Sequence, residues 1–176
     1  MNQTIKRVWN AVTTVLVAAM VLLAALLWGA RLVGLDVFVV QSGSMEPDYP
    51  TGSVVYVRDV DPAELEVGDV ITFRLSGSTR ATHRIIEVAE RDGGIAFRTK
   101  GDANDYADNG LVSPSDIVGK VAFSIPYLGF LVAYIQQPPG MYIAICTAAA
   151  ILLLTVLPEI IFSDKKVVNK QEEEQS

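Results

Sequence analysis

Apolar positions crowd the two ends of this 176-residue chain and alternate with polar ones through its middle. Val8–Ala30 carries no charge and is apolar apart from Asn10, Thr13 and Thr14. At about 1.5 Å of rise per residue it is long enough to cross a hydrocarbon core of about 30 Å, so it predicts a transmembrane helix. A cleaved signal peptide is the rival reading, because Lys6 and Arg7 precede the segment. Signal-peptide cores run only about 7–15 residues, however, and Trp28-Gly29-Ala30 lacks the small residue wanted two positions before the final alanine. The expectation is an uncleaved anchor over residues 8–30, with residues 1–7 before it.

Near the other end no charge occurs between Lys120 and Glu159, but Gln136-Gln137-Pro138-Pro139-Gly140 breaks any helix running through. A second span is expected from Met141 to about Phe162, followed by a charged, solvated tail over 163–176. Two spans put both termini on one side. Lys6 and Arg7 against Arg31, together with Lys165 and Lys166, favour the cytoplasm for that side. Residues 31–140 then form a domain outside it.

Within that domain, β-branched residues and period-two alternation recur in short bursts: Val37–Val40, Ser53–Arg58, Asp69–Arg74, Thr82–Ala89, Ile95–Thr99 and Ile117–Ser124. Turn residues separate them at Pro50-Thr51-Gly52, Ser76-Gly77-Ser78 and Asp92-Gly93-Gly94. The pattern is that of an all-β domain of hairpins. Asp61–Leu65 suits one helical turn, and no long amphipathic helix is visible.

Hydrophobic residues make up 51% of the chain and the net charge is −6. The central domain is acidic and has no basic patch, which sets nucleic acid aside as a partner. Cys146 is the single cysteine, so no intrachain disulfide can form, and it reads as a small hydrophobe in the second span.

Candidate chemistry gathers in three places. Ser42 and Ser44 are two apart in Gln41-Ser42-Gly43-Ser44-Met45-Glu46-Pro47, so in an extended segment both hydroxyls point the same way. One can attack while the other donates to a developing oxyanion. Ser76-Gly77-Ser78 shows that the same tripeptide also serves as a plain loop. Location favours the first copy: from Ala30 to Ser44 the chain spans at most about 50 Å at roughly 3.5 Å per residue, which tethers the site near a bilayer surface. A serine needs a base, and His83 is the only histidine. An acid must hold the imidazole, and Lys100-Gly101-Asp102-Ala103-Asn104-Asp105-Tyr106-Ala107-Asp108 offers several. Asp102, Asn104 and Asp108 also resemble part of a calcium loop. The EF-hand pattern fails, because its fifth and twelfth positions would be Tyr106 and Ser113. No Cys/His cluster suits zinc. The expectation is no metal and no cofactor.

These residues together resemble a type I signal peptidase of the archaeal and endoplasmic-reticulum branch, also found in some Gram-positive bacteria. Ser42-Gly43-Ser44-Met45-Glu46-Pro47 is similar to the nucleophile box. Thr82-His83-Arg84 falls where the common bacterial enzymes carry a lysine base, and histidine marks this branch. Lys100-Gly101-Asp102-Ala103-Asn104 with Asp108 resembles the glycine-aspartate box, although Ala103 stands where asparagine is frequent. Gly68-Asp69-Val70-Ile71 and Gly119-Lys120-Val121 also resemble family framework.

The resemblance, which covers about Val37–Tyr134, implies a mainly β fold: a signal-peptidase-like β-rich catalytic domain flanked by two transmembrane helices. It implies Ser44 as nucleophile, His83 as base, and Ser42 in the oxyanion hole. It also implies two functional aspartates, Asp102 and Asp108. Asp108 is the expected partner of His83 and Asp102 a support, though sequence leaves their order open. Signal peptides of secretory preproteins, cut at Ala-x-Ala-like sites, are the implied substrates. Membrane lipid and the secretion machinery are the implied surroundings. The implied place is the cell membrane with the domain extracytoplasmic, or the endoplasmic-reticulum membrane in a eukaryote. A self-cleaving serine–lysine protease of the same fold and an inactive β-domain that binds exported segments are the competing readings.

Overall fold

In the computed structural model the described residues are 3–156, except Ser78 and Asp92. The tail over 163–176, the end of the second span past Val156, and one residue of each of two expected turns, Ser78 and Asp92, lie outside them. The described chain forms two compact units. One contains the terminal helices and the other runs from Leu26 to Ala133.

In the first unit, helix α1 (Gln3–Ala24) buries none of its residues. With its continuation to Leu27 it is long and apolar enough to cross a membrane. Helix α4 (Gly140–Val156) passes that test only when joined to helix α3 (Leu128–Gln136), from which it is broken at the expected prolines.

The second unit is a six-stranded antiparallel sheet: β1 (Leu35–Val39), β2 (Val54–Arg58), β3 (Val70–Ser76), β4 (Thr79–Arg91), β5 (Gly94–Lys100) and β6 (Ile117–Ile125). Their order is β1-β2-β6-β3-β4-β5, so the last strand returns to the middle and joins two hairpins. Each expected burst is a strand. The turn at Asp61 is a 3₁₀ turn, Pro62–Glu64, capped by the Asp61 carboxylate on Ala63 N–H.

Two apolar clusters hold the sheet. Leu65, Ile71, Phe73, Ile85, Phe97 and Val112 form one, and Met45, Val55, Val57, Val70 and Val121 the other. A third cluster lies where the first apolar segment meets the sheet. Ala30, packed in the short helix α2 (Ala30–Leu32), is buried with Val54 and Tyr56. The Tyr56 hydroxyl also donates to the Leu26 carbonyl. The sheet unit accordingly begins at Leu26. At its other end the unit runs to Ala133, within α3. The start of α3 lies close to the β1–β2 connection: a Cβ on Gly129 would fall 2.6 Å from Val39, and one on Gly52 2.2 Å from the Phe130 ring. Only glycines permit that approach.

Two free strand edges face a common groove. β1 is the terminal strand of the sheet. β4 pairs with β5 only from Arg84 onward, so Thr79–His83 has β3 on one side alone. A groove of about 710 Å³ is lined from both: by Phe38–Ser42 and Ser44 on one side and Thr79–His83 on the other.

Candidate active site

Ser44 leaves β1 in a 3₁₀ turn, Gly43–Met45, after an extended Ser42. The next side chain fixes the turn. Met45 is 1% exposed and sits in the second apolar cluster, so the Ser44 hydroxyl is turned toward the groove while its neighbour is anchored inside. The segment is also held from the Asp102 loop. Ala103 N–H donates to the Ser44 carbonyl at 2.9 Å, and a Cβ on Gly101 would lie 2.6 Å from that same oxygen. Gly101 is therefore required by a close backbone approach.

His83 sits on β4 opposite Ile71. Its ring meets the Phe73 ring edge-on at 6.2 Å, and its side chain is 14% exposed. Nε2 is 3.2 Å from Ser44 Oγ. Nδ1 is 2.6 Å from Asp108 Oδ2. That oxygen also accepts from Thr99 Oγ1 at 2.7 Å, and Asp108 N–H donates to the Thr99 carbonyl. Ser42 Oγ lies 3.3 Å from Ser44 Oγ. A hydroxyl, an imidazole and a carboxylate thus stand in series, the arrangement that lets a serine be deprotonated as it attacks a carbonyl.

Asp102 is elsewhere. It binds the Arg84 guanidinium in a fork, Nε to Oδ1 at 2.8 Å and Nη2 to Oδ2 at 2.6 Å. Arg84 follows His83 on the strand and so projects from the other face. There it also donates to Asp48 Oδ2 at 2.9 Å and to the Gly68 carbonyl at 3.0 Å. One cation ties together the loop after Ser44, the loop before β3 and the loop carrying both aspartates. The bond from Asp102 holds Arg84 charged, with its pKa raised above the ordinary guanidinium value. Burial pushes up the neighbouring Tyr49 phenol.

Thr99 carries no signal in sequence that sets it apart from any strand threonine. It is 1% exposed and its position against Asp108 arises from the return of the loop onto β5. A threonine pair, Thr72 Oγ1 and Thr82 Oγ1 at 2.8 Å, lies in the groove wall. Among the described residues no group of three or more His, Cys, Asp or Glu side chains gathers as metal ligands would.

Comparison with known proteins agrees with this class of site. Residues 12–89 match the family described as signal peptidase, peptidase S26. Signal peptidase I W of Bacillus subtilis is 42% identical over 89 residues, which cover 49% of this chain and 47% of that protein. The signal peptidase complex catalytic subunit SEC11C of Homo sapiens is 31% identical over 128 residues, 67% of each chain. The corresponding sec11 subunit of Dictyostelium discoideum is 28% identical over 128 residues, 68% of this chain and 71% of its own. The match thus spans about half the length of the Bacillus protein and two thirds of SEC11C. The chain belongs to the signal peptidase family, peptidase S26.

Proposed function

We propose that this protein is a membrane-bound serine endopeptidase that removes signal peptides from exported preproteins. The observation that carries the reading is the series Ser44 Oγ, His83 Nε2 and Nδ1, Asp108 Oδ2, with separations of 3.2 and 2.6 Å, opening on a groove between two free strand edges. A substrate in extended form adds to those edges through main-chain hydrogen bonds, and the groove selects small side chains beside the cut, as Ala-x-Ala sites require.

In the reaction, His83 takes the Ser44 proton as the hydroxyl oxygen attacks the scissile carbonyl, and Asp108 stabilises the imidazolium that results. The Ser44 N–H and the Ser42 hydroxyl hold the oxyanion. The imidazolium then protonates the leaving amine, and an acyl-enzyme remains. Water deprotonated by the same imidazole releases the cleaved signal peptide and regenerates Ser44. Asp102 acts through Arg84 as a positioning residue.

Helices α1 and α4 serve as two membrane spans in this reading, with the sheet on the extracytoplasmic side and both termini in the cytoplasm. The names of the relatives support a second point: SEC11C is the catalytic subunit of a complex, so partner subunits fit here as well. The test is cleavage of a preprotein with an Ala-x-Ala site by the detergent-solubilised chain. A cut after the last alanine, abolished by Ser44→Ala and by His83→Ala, is expected. A folded chain that cuts equally well with either substitution would sink the assignment.

A further inference from the structure

Among the described residues that line the groove there is one Lys, Arg, Asp or Glu. Arg80 is the second residue of β4, and its guanidinium carbon stands 5.4 Å from the centre of the Phe38 ring. This cation–π contact reaches from the β4 edge to the β1 edge, across the space a substrate strand would enter. Arg84, Arg98 and Lys120 each hold a carboxylate. Among the described residues Arg80 holds none. Its cross-strand neighbour is Arg74, a like charge that spends a donor on the Ser115 carbonyl. The guanidinium is therefore uncompensated and held over the groove by a ring.

We propose that Arg80 reads the charge of one substrate residue about three places from the scissile bond, favouring an acidic side chain there and disfavouring a basic one. The register follows from strand geometry. Arg80 precedes His83 by three residues, about 10 Å of extended chain. A substrate strand paired with the Thr79–His83 edge advances at the same rate, so the residue it brings beneath Arg80 is three or four positions from the bond at Ser44. Phe38, Val40 and Leu75 line the same groove and add no charge to screen the interaction. Discrimination comes as much from repelling the wrong charge as from attracting the right one. Because Arg80 is exposed, salt weakens the effect.

This inference rests on the peptidase reading above. Its test uses the full chain in detergent and peptides sharing one Ala-x-Ala site. Glu or Lys is scanned from five residues before the cut to five after it, and kcat/KM is compared in the unaltered chain, R80Q and R80E. At one position three or four residues from the cut, the unaltered chain is expected to prefer Glu over Lys by about 3- to 10-fold at low salt. The ratio should approach one in R80Q, invert in R80E, and shrink with added salt in the unaltered chain. Each ratio is internal to one variant, so a loss of folded protein does not mimic it. A Glu/Lys ratio that is the same in the unaltered chain and R80E at every position overturns the role of Arg80 while leaving the peptidase intact. If the unaltered chain cuts no peptide in the set, both readings fall.

Discussion

Asp108→Asn separates the charge of the carboxylate from its shape. His83 Nδ1 and Thr99 Oγ1 both donate to Oδ2, at 2.6 and 2.7 Å. The asparagine carbonyl can occupy that position, keep both hydrogen bonds and leave the imidazole tautomer as it is. Only the negative charge beside the developing imidazolium is lost. With about 4 Å between the charge centres and an effective dielectric of about 20, that interaction is worth roughly 4 kcal/mol. Partial exposure of both side chains, 14% and 24%, brings it down toward 2 kcal/mol. The expected fall in kcat is therefore about 30- to 1000-fold. Asp108→Ala goes further, because the imidazole loses its acceptor and the Thr99 hydroxyl, 1% exposed, loses its partner. A loss approaching 10⁴-fold, as for a triad imidazole held in the wrong tautomer, is expected. Asp102→Asn is the control. It breaks a fork to Arg84 and touches neither His83 nor Ser44. It should cost about 2 kcal/mol of stability, a fall in melting temperature of roughly 10 °C, with kcat within about 10-fold of the unaltered chain. Peptide cleavage under saturating substrate, run beside thermal melts, reads both. Asp102→Asn crippling kcat without lowering the melting temperature, together with near-normal kcat in Asp108→Asn, would refute the assignment.

Ser42→Ala should keep detectable cleavage at about 100- to 1000-fold below the unaltered rate, the usual cost of one oxyanion donor, whereas Ser44→Ala should show none; equal loss in both leaves Ser42 without the role proposed. Gly101→Ala places a Cβ 2.6 Å from the Ser44 carbonyl oxygen, so the nucleophile segment or the Asp102 loop must shift. Lower kcat with KM little changed is expected, and unaltered kinetics in a folded protein would show that the close approach does not position Ser44.

The six strands were legible because each is a run of β-branched and alternating residues closed by turn chemistry. What the pattern missed is where one kind of residue can serve two surroundings. The end of the first apolar segment, Leu26–Ala30, suits lipid and protein equally, and only the pairing of Ala30 with Val54 and Tyr56 assigns it to the sheet unit. Helix α3 (Leu128–Gln136) lies in an uncharged stretch that carries no amphipathic signature. The extra residues at the start of β4, Thr79–Ala81, pair with β3, a cross-strand contact that the local pattern does not reveal. At the site, residue types point to chemistry but spacing does not orient it. Asp102 and Asp108 occupy one loop, and nothing local tells which faces His83. Thr99 is invisible for the same reason, since its partner is set by how the loop folds back.

The division of labour between those aspartates follows from one dipeptide. In an extended strand His83 and Arg84 must project to opposite faces. His83 faces Ser44, Asp108 and the Phe73 ring. Arg84 faces Asp102, Asp48 and the Gly68 carbonyl. The strand that carries the imidazole therefore also carries the cation that fixes the loops on either side of it. A triad drawn from three separate segments keeps its 3.2 and 2.6 Å separations only if those segments cannot drift apart, and the Arg84 fork together with the Ala103-to-Ser44 backbone bond supplies that restraint. Two aspartates six residues apart are needed because one carboxylate cannot serve both faces of a strand.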